Sequence, residues 1–191
     1  MHYLNKLILV NKDNKISDTY MPNLTLLKNS TIYVDKCIIN DLYNMFDDAQ
    51  KIGYKLIVCS GYRSIDYQSQ LFHKKISVIL KSNPSYSHAI KEAATVVMPP
   101  GYSEHHTGLA VDIVSENNLL LEEEQENTPE NIWLQNNCYK YGFILRYPKN
   151  KEAITKVIYE PWHFRYVGKE MALHLTINNL TLEEFTSQTL L

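Results

Sequence analysis

Two segments about fifty residues apart constrain this chain more than anything else in it: Ser103-Glu104-His105-His106-Thr107-Gly108-Leu109-Ala110-Val111-Asp112, and Glu160-Pro161-Trp162-His163. Together they hold imidazoles and a carboxylate in the proportions of an open metal site. A catalytic zinc commonly takes three protein ligands and leaves the fourth position to water, whose pKa falls to about 7. His105, Asp112 and His163 meet that count, so the fold must bring a loop, a strand and a distant third segment to one point. Gly108 allows the sharp turn by which a loop histidine and a strand aspartate face one ion. Leu109, Val111 and Ile113 alternate with Ala110 and Asp112, a period of two that points Asp112 away from the apolar face.

Glu160 is left over as a general base, able to take a proton from an attacking water and return it to a leaving amine. In a regular strand, residues 160 and 163 face opposite ways. Pro161, which fixes φ and lacks an amide donor, predicts irregular backbone that turns both toward one cleft. His106 competes with His105 on residue type alone. His2, His73, His88 and His174 have no such context. Arg63, in the loop Ser60-Gly61-Tyr62-Arg63-Ser64, can stabilise a developing oxyanion, an effect worth about 10² to 10³ in rate per donor. The alternative is that it caps the preceding strand in an ion pair.

The rest of the chain reads as alternating short strands and helices. Leu7–Val10 and Tyr54–Cys59 are expected strands, the latter emptying into the loop that carries Arg63, a common place for function. Helices are expected after Asp35 up to the stop at Gly53, over Ser64–Leu80, and over residues 89–97 until Met98-Pro99-Pro100-Gly101 halts them. Residues 122–130 carry five glutamates and no positive charge, the pattern of an exposed, mobile loop. Thr128-Pro129 starts a further helix ended by Gly142. Phe143-Ile144-Leu145 and the stretch from Val157 to Gly168 read as closing strands. Thr181 and Glu184 form a capping box for a terminal helix over residues 181–191.

Composition narrows the partners. With 191 residues, one domain spanning 1–191 is expected. A net charge of −2 argues against nucleic acid or anionic lipid as a partner. Three scattered cysteines, Cys37, Cys59 and Cys138, build neither a disulfide framework nor a thiolate metal knuckle. The apolar run Leu7–Val10 is shorter than a signal-peptide core or membrane span, so a cytoplasmic location without a membrane anchor is expected.

The SxHxxGxAxD pattern of Ser103–Asp112, the ExWH pattern of Glu160–His163 and the SGYRSxxxQ pattern of Ser60–Gln68 resemble the metal-dependent D-alanyl-D-alanine carboxypeptidase and dipeptidase family of VanY, VanX and VanXY type. The resemblance runs over about residues 55 to 168 and is nearest the VanXY group through Glu160-Pro161-Trp162-His163-Phe164-Arg165-Tyr166-Val167-Gly168. It implies an α+β fold in which helices flank a small central antiparallel sheet carrying the metal. It further implies Zn2+ on His105, Asp112 and His163, Glu160 as base and Arg63 on the tetrahedral intermediate. The spacing to Asp112 favours His105 over His106. Gln68 and Ser103 would hydrogen-bond the substrate's terminal D-alanine or its carboxylate, and Trp162 would shape the site.

The implied substrates are the D-Ala-D-Ala dipeptide and peptidoglycan precursor peptides ending in D-Ala, the target of vancomycin-type glycopeptides. An L,D-carboxypeptidase or peptidoglycan endopeptidase with the same metal chemistry is the enzymatic alternative. A muropeptide-binding module that does not cut is the non-enzymatic one, and Glu160 disfavours it because binding needs no poised base.

Overall fold

The computed structural model describes residues 6–189. Its first regular element is a hairpin absent from the sequence reading, β1 (Leu24–Leu26) paired antiparallel with β2 (Tyr33–Asp35). Strands this short leave little periodicity to read. Asp35 then caps the next element, Oδ1 accepting the Cys37 amide at 2.9 Å. A 3-10 turn, Lys36–Ile38, runs into α1 (Ile39–Lys51), whose Leu42, Met45 and Ala49 recur at helical spacing and are buried. Gly53, at φ +88°, sits just beyond its end.

β3 (Leu56–Ser60) leads to α2 (Ile65–Leu80), capped by Ser64 Oγ on the Tyr67 amide at 3.1 Å. α3 (Tyr86–Val96) stops before the paired prolines, as expected. β4 (Ala110–Ser115), α4 (Pro129–Asn137), β5 (Phe143–Leu145), the short α5 (Glu152–Thr155) and β6 (His163–Tyr166) follow, then α6 (Lys169–Ile177) and α7 (Leu182–Thr189). The Thr181–Glu184 capping box is reciprocal: Glu184 Oε2 accepts the Thr181 amide at 2.8 Å and Thr181 Oγ1 accepts the Glu184 amide at 3.2 Å. The last two residues of the expected terminal helix lie outside the described residues.

The architecture is α+β. Four strands form an antiparallel sheet in the order β3-β4-β6-β5. Leu109, Val111, Ile113 and Phe164 join Leu42, Met45 and Ala49 of α1 in one core. β4 is nonetheless buried along its whole length, because its second face is also covered. α2 and α3 bury Phe72, Ile76, Ile79, Ala89 and Ala93 between them, and α2 walls the cleft described below.

Three sequence expectations need correction. Leu7–Val10 is not a strand; the carbonyls of Lys6 and Ile8 instead accept hydrogen bonds from Arg165 Nη2 at 3.0 and 2.8 Å. Only His163–Tyr166 of the long closing stretch is strand. The acidic loop is ordered around Glu123–Asn127, a 3-10 turn pinned by Gln125, whose buried amide bonds the backbone of Ser115, Asn118 and Leu120. One glutamine satisfying three backbone groups outweighs the local excess of charge. The three cysteines are free thiols. Among the described residues no helix is long and apolar enough to cross a membrane.

Candidate active site

Strand register brings the two distant segments together. Asp112 of β4 lies directly opposite His163 of β6, and Ser60 of β3 flanks Asp112 on the other side. Opposite residues on an antiparallel pair have Cβ atoms about 4.5–5.5 Å apart on the same face, so pairing alone makes Asp112 and His163 neighbours. His105 enters from the 3-10 turn Glu104–Thr107, which ends at Gly108 with φ +71°. A Cβ on Gly108 would stand 2.8 Å from the Asp35 amide nitrogen. Glycine is therefore required there both for the left-handed turn and for close passage past β2.

The ligand atoms of His105, Asp112 and His163 all lie within 4.8 Å of one another, and all three residues are buried. His105 Nδ1 is 2.7 Å from the Gly61 carbonyl. A carbonyl only accepts, so Nδ1 carries the proton and Nε2, 3.4 Å from Asp112 Oδ2, keeps its lone pair. His163 presents the other ring nitrogen, Nδ1, 3.4 Å from Asp112 Oδ1 and 3.4 Å from Glu160 Oε2. Asp112 Oδ1 is buried and has no hydrogen-bond partner among the described residues. The Nε2 lone pair of His105, the Nδ1 atom of His163 and an orphaned carboxylate oxygen converge in a buried pocket and fit a divalent cation, and the nitrogen and oxygen donor set suits zinc.

His106 is excluded as a ligand. Its Nδ1 donates to the Arg63 carbonyl at 2.7 Å and its Nε2 accepts the Gly101 amide at 3.0 Å, so both nitrogens are spent on backbone. His73, His88 and His174 are exposed on helices. His2 lies outside the described residues.

Electrostatics point the same way. Burial, and then the Arg63 charge, push the His105 imidazolium down to about 4, keeping the ring neutral. Burial also opposes charge on Asp112, but His105 and Arg63 override it and hold the carboxyl well below its usual range. His163 is driven the other way: burial disfavours its cation, yet Asp112, Glu104 and Glu160 together raise it far above an ordinary histidine.

Glu160 ends up beside the triad by way of a turn. The His163 amide donates to the Glu160 carbonyl at 3.2 Å and β6 begins only at His163, so the backbone between them is irregular and both side chains face one cleft. Burial raises the Glu160 carboxyl above its ordinary value. Arg63 Nη2 binds Asp112 Oδ2 at 2.6 Å and its Nε binds Ser60 Oγ at 2.9 Å. Its Nη1 has no hydrogen-bond partner among the described residues.

A cleft of about 510 Å³ opens onto this centre and is lined by Arg63, Gln68, Ser103, Glu160 and Trp162 as well as the triad. Gln68 donates its amide nitrogen to the Met98 carbonyl at 2.7 Å, leaving Oε1 as a buried, unpartnered acceptor. That polarity suits a substrate N–H better than a carboxylate. Ser103 Oγ accepts the His105 amide at 3.4 Å, and its hydroxyl hydrogen stays available to the cleft. The buried Trp162 gives wall and turn.

Several residues at the centre escaped the sequence reading. Tyr147 lines the cleft with its ring 4.8 Å from that of His163. Glu104, Arg146 and Arg165 form a buried charge cluster behind His163. The signal was present: Arg146 and Arg165 interrupt otherwise apolar strand stretches, and a charge in that setting implies a buried partner.

The fold and site define a family. Residues 31–169 match the model of VanY, D-alanyl-D-alanine carboxypeptidase, and the chain belongs to that family. It is 40% identical over 181 residues to the D-alanyl-D-alanine carboxypeptidase of Enterococcus faecalis (strain ATCC 700802 / V583), covering 94% of this chain and 65% of that protein. With VanXYC of Enterococcus gallinarum, a bifunctional D-Ala-D-Ala dipeptidase and carboxypeptidase, identity is 29%, covering 95% and 94% of the two chains. Among solved structures, VanYB in complex with D-alanine-D-alanine superposes with TM-score 0.87 at 39% identity, covering 95% of this chain and 97% of that one. A VanY variant from a VanB-type resistance cassette, in complex with Zn(II), gives 0.86 at 38%, covering 95% and 99%. The L,D-carboxypeptidase LdcB gives 0.75 at 43%, covering 94% and 84%.

Proposed function

We propose that this chain is a zinc-dependent D,D-carboxypeptidase that releases terminal D-alanine from peptidoglycan precursor peptides, with D-Ala-D-Ala itself as a smaller substrate. The observation that carries the reading is the buried His105–Asp112–His163 triad with Glu160 at its edge, at the inner end of an open cleft. Relatives named for this activity, and one solved with D-Ala-D-Ala bound, support it.

The side chains divide the work as follows. His105 Nε2, Asp112 and His163 Nδ1 would hold zinc, which when bound would supply Lewis acidity and lower the pKa of a water. Glu160 Oε2 takes a proton from the attacking water as the water oxygen bonds to the scissile carbonyl carbon, then delivers it to the amine nitrogen as the C–N bond breaks. Arg63 Nη1 faces the carbonyl oxygen as it gains charge. Ser103 donates to the terminal carboxylate, and Gln68 Oε1 accepts a substrate N–H.

Cleft length favours peptides over the dipeptide. Gln68, Leu71, Lys75 and Val78 fall on one stripe of α2 and all line the cleft, a wall of about 15 Å at ~1.5 Å per residue. An extended dipeptide spans only about 7 Å. Removing the terminal D-Ala would destroy the D-Ala-D-Ala ending that vancomycin-type glycopeptides recognise.

LdcB, at 43% identity, motivates a second reading as an L,D-carboxypeptidase. One experiment addresses both: the purified protein is given D-Ala-D-Ala, a stem tetrapeptide and a stem pentapeptide, with and without chelator, beside E160Q. We expect chelator-sensitive D-alanine release, fastest from the pentapeptide, and E160Q that holds zinc without turnover. Release from the tetrapeptide alone replaces the D,D reading with the L,D one. Near-normal turnover by E160Q removes Glu160 as base.

A further inference from the structure

Glu104 precedes His105 in sequence, but its carboxylate serves the opposite side of the centre. The side chain is fully buried, and a single oxygen, Oε1, accepts both Arg146 Nε at 2.8 Å and Arg165 Nη1 at 2.7 Å. Both arginines are themselves anchored. Arg146 forms two bonds to Glu183, at 2.8 and 2.6 Å, and Arg165 bonds the carbonyls of Lys6, Ile8 and Tyr166. Neutralising two guanidiniums accounts for Oε1 only. Oε2 is buried with no hydrogen-bond partner, and 3.6 Å away stands His163 Nε2, also buried and also unpartnered. Two complementary orphaned atoms face each other on the side of the ring away from Asp112 and Glu160.

We propose that Glu104 is a positioning residue for the metal centre: Oε2 accepts the Nε2–H of His163 and so fixes the tautomer whose Nδ1 lone pair points at Asp112. The inference rests on the zinc reading above. His105 already shows the mirror arrangement, its Nδ1–H held by the Gly61 carbonyl so that Nε2 is free. The two imidazoles thus bind through different nitrogens because each is held from behind at the other one. Ligating histidines generally donate their second N–H to a carboxylate or carbonyl, and loss of that partner typically costs 10- to 100-fold in metal affinity. At 3.6 Å the Glu104–His163 contact is longer than a hydrogen bond; in the metal-loaded protein it closes to one.

The substitution E104Q tests this sharply. The two arginines demand an oxygen, so the introduced amide must turn its carbonyl to them and its amino group to His163. A donor then faces Nε2 and favours the tautomer with hydrogen on Nδ1, the wrong one for ligation.

The experiment measures zinc affinity by chelator competition for wild type, E104Q and E183Q, and the ring-nitrogen NMR shifts of 15N-histidine-labelled, zinc-loaded wild type. E183Q removes the same charge from the outer side of Arg146 without touching His163. We expect a protonated Nε2 and metal-bound Nδ1 on His163, zinc affinity reduced about 10- to 100-fold in E104Q, and less than about 3-fold change in E183Q. Equal affinities for E104Q and wild type, or equal losses in both variants, overturn the proposal, as does a His163 bearing its proton on Nδ1. If E104Q does not fold, the wild-type tautomer alone decides. Wild type that binds no zinc removes the metal reading itself, a different outcome from zinc bound through the wrong nitrogen.

Discussion

Gly108 offers a test of how the metal centre is assembled, because Gly53 supplies a matched control. Both glycines have positive φ, +71° and +88°, but a Cβ at Gly53 meets nothing within 4 Å whereas one at Gly108 falls 2.8 Å from the Asp35 amide nitrogen. Forcing alanine into the left-handed region costs about 1–2 kcal/mol, and the stiffer unfolded chain returns about 0.4–1 kcal/mol. G53A should therefore lose roughly 0.5–1 kcal/mol. G108A carries the same cost plus an overpacking penalty of about 1–3 kcal/mol. The backbone it strikes cannot simply withdraw, because the Asp35 amide donates to the Gly108 carbonyl at 2.9 Å. The total is about 2–4 kcal/mol, or roughly 4–16 °C in Tm for a chain of this size. Urea unfolding in the presence of chelator measures this without linkage to bound metal, and chelator competition then reads zinc affinity, which should fall in G108A and not in G53A because only Gly108 adjoins the His105 turn. If the two variants match in stability and in zinc affinity, the close passage of the turn past β2 does not set the position of His105.

His106→Phe should destabilise the protein by about 2–3 kcal/mol, from two lost buried hydrogen bonds, while leaving zinc stoichiometry at wild type; His105→Ala should abolish zinc binding, and a loss of metal in the His106 variant refutes the ligand assignment. Burial opposes ionisation of Glu104, but Arg146 and Arg165 hold it well below the usual carboxylate range. Its folded pKa lies below the unfolded value of about 4.3, so its contribution is present above that pH and lost as pH falls further. Urea midpoints of wild type should accordingly drop between about pH 5 and pH 3, more steeply than those of E104Q; parallel slopes would show that Glu104 is not ionised. Thr181→Ala should cost about 1 kcal/mol through the lost cap on α7, read as a lowered urea midpoint with zinc affinity unchanged.

The sequence made the chemistry easier to read than the scaffold. Asp112 could be placed on the face opposite Val111 and Ile113 because a strand's period of two leaves no other choice, and Pro161 announced the turn that brings Glu160 and His163 together. What stayed hidden was pairing. The motifs say that Asp112 and His163 converge, but nothing local says that they do so as directly opposite residues of paired strands, or that Leu24–Leu26 pairs with Tyr33–Asp35, since register is set by packing over long sequence separations. His106 illustrates a second limit. A histidine beside a ligand looks identical to the ligand until the backbone groups of Arg63 and Gly101 occupy both of its nitrogens. Leu7–Val10 shows a third: four apolar residues read equally as strand or as extended chain, and the choice fell to Arg165, whose guanidinium takes the carbonyls that a neighbouring strand would otherwise bond.

The facing of Asp112 and His163 on adjacent strands has a mechanical outcome. An ion held by both would act as a removable cross-link, closing a loop of about fifty residues that contains the acidic turn, α4 and β5 and so restricting the unfolded chain much as a covalent bridge does. Stripping the metal would then do more than silence chemistry. It would loosen the seam between the two central strands, so amide exchange in β4 and β6 should quicken while the outer pairing of β5 with β6 keeps its own pace.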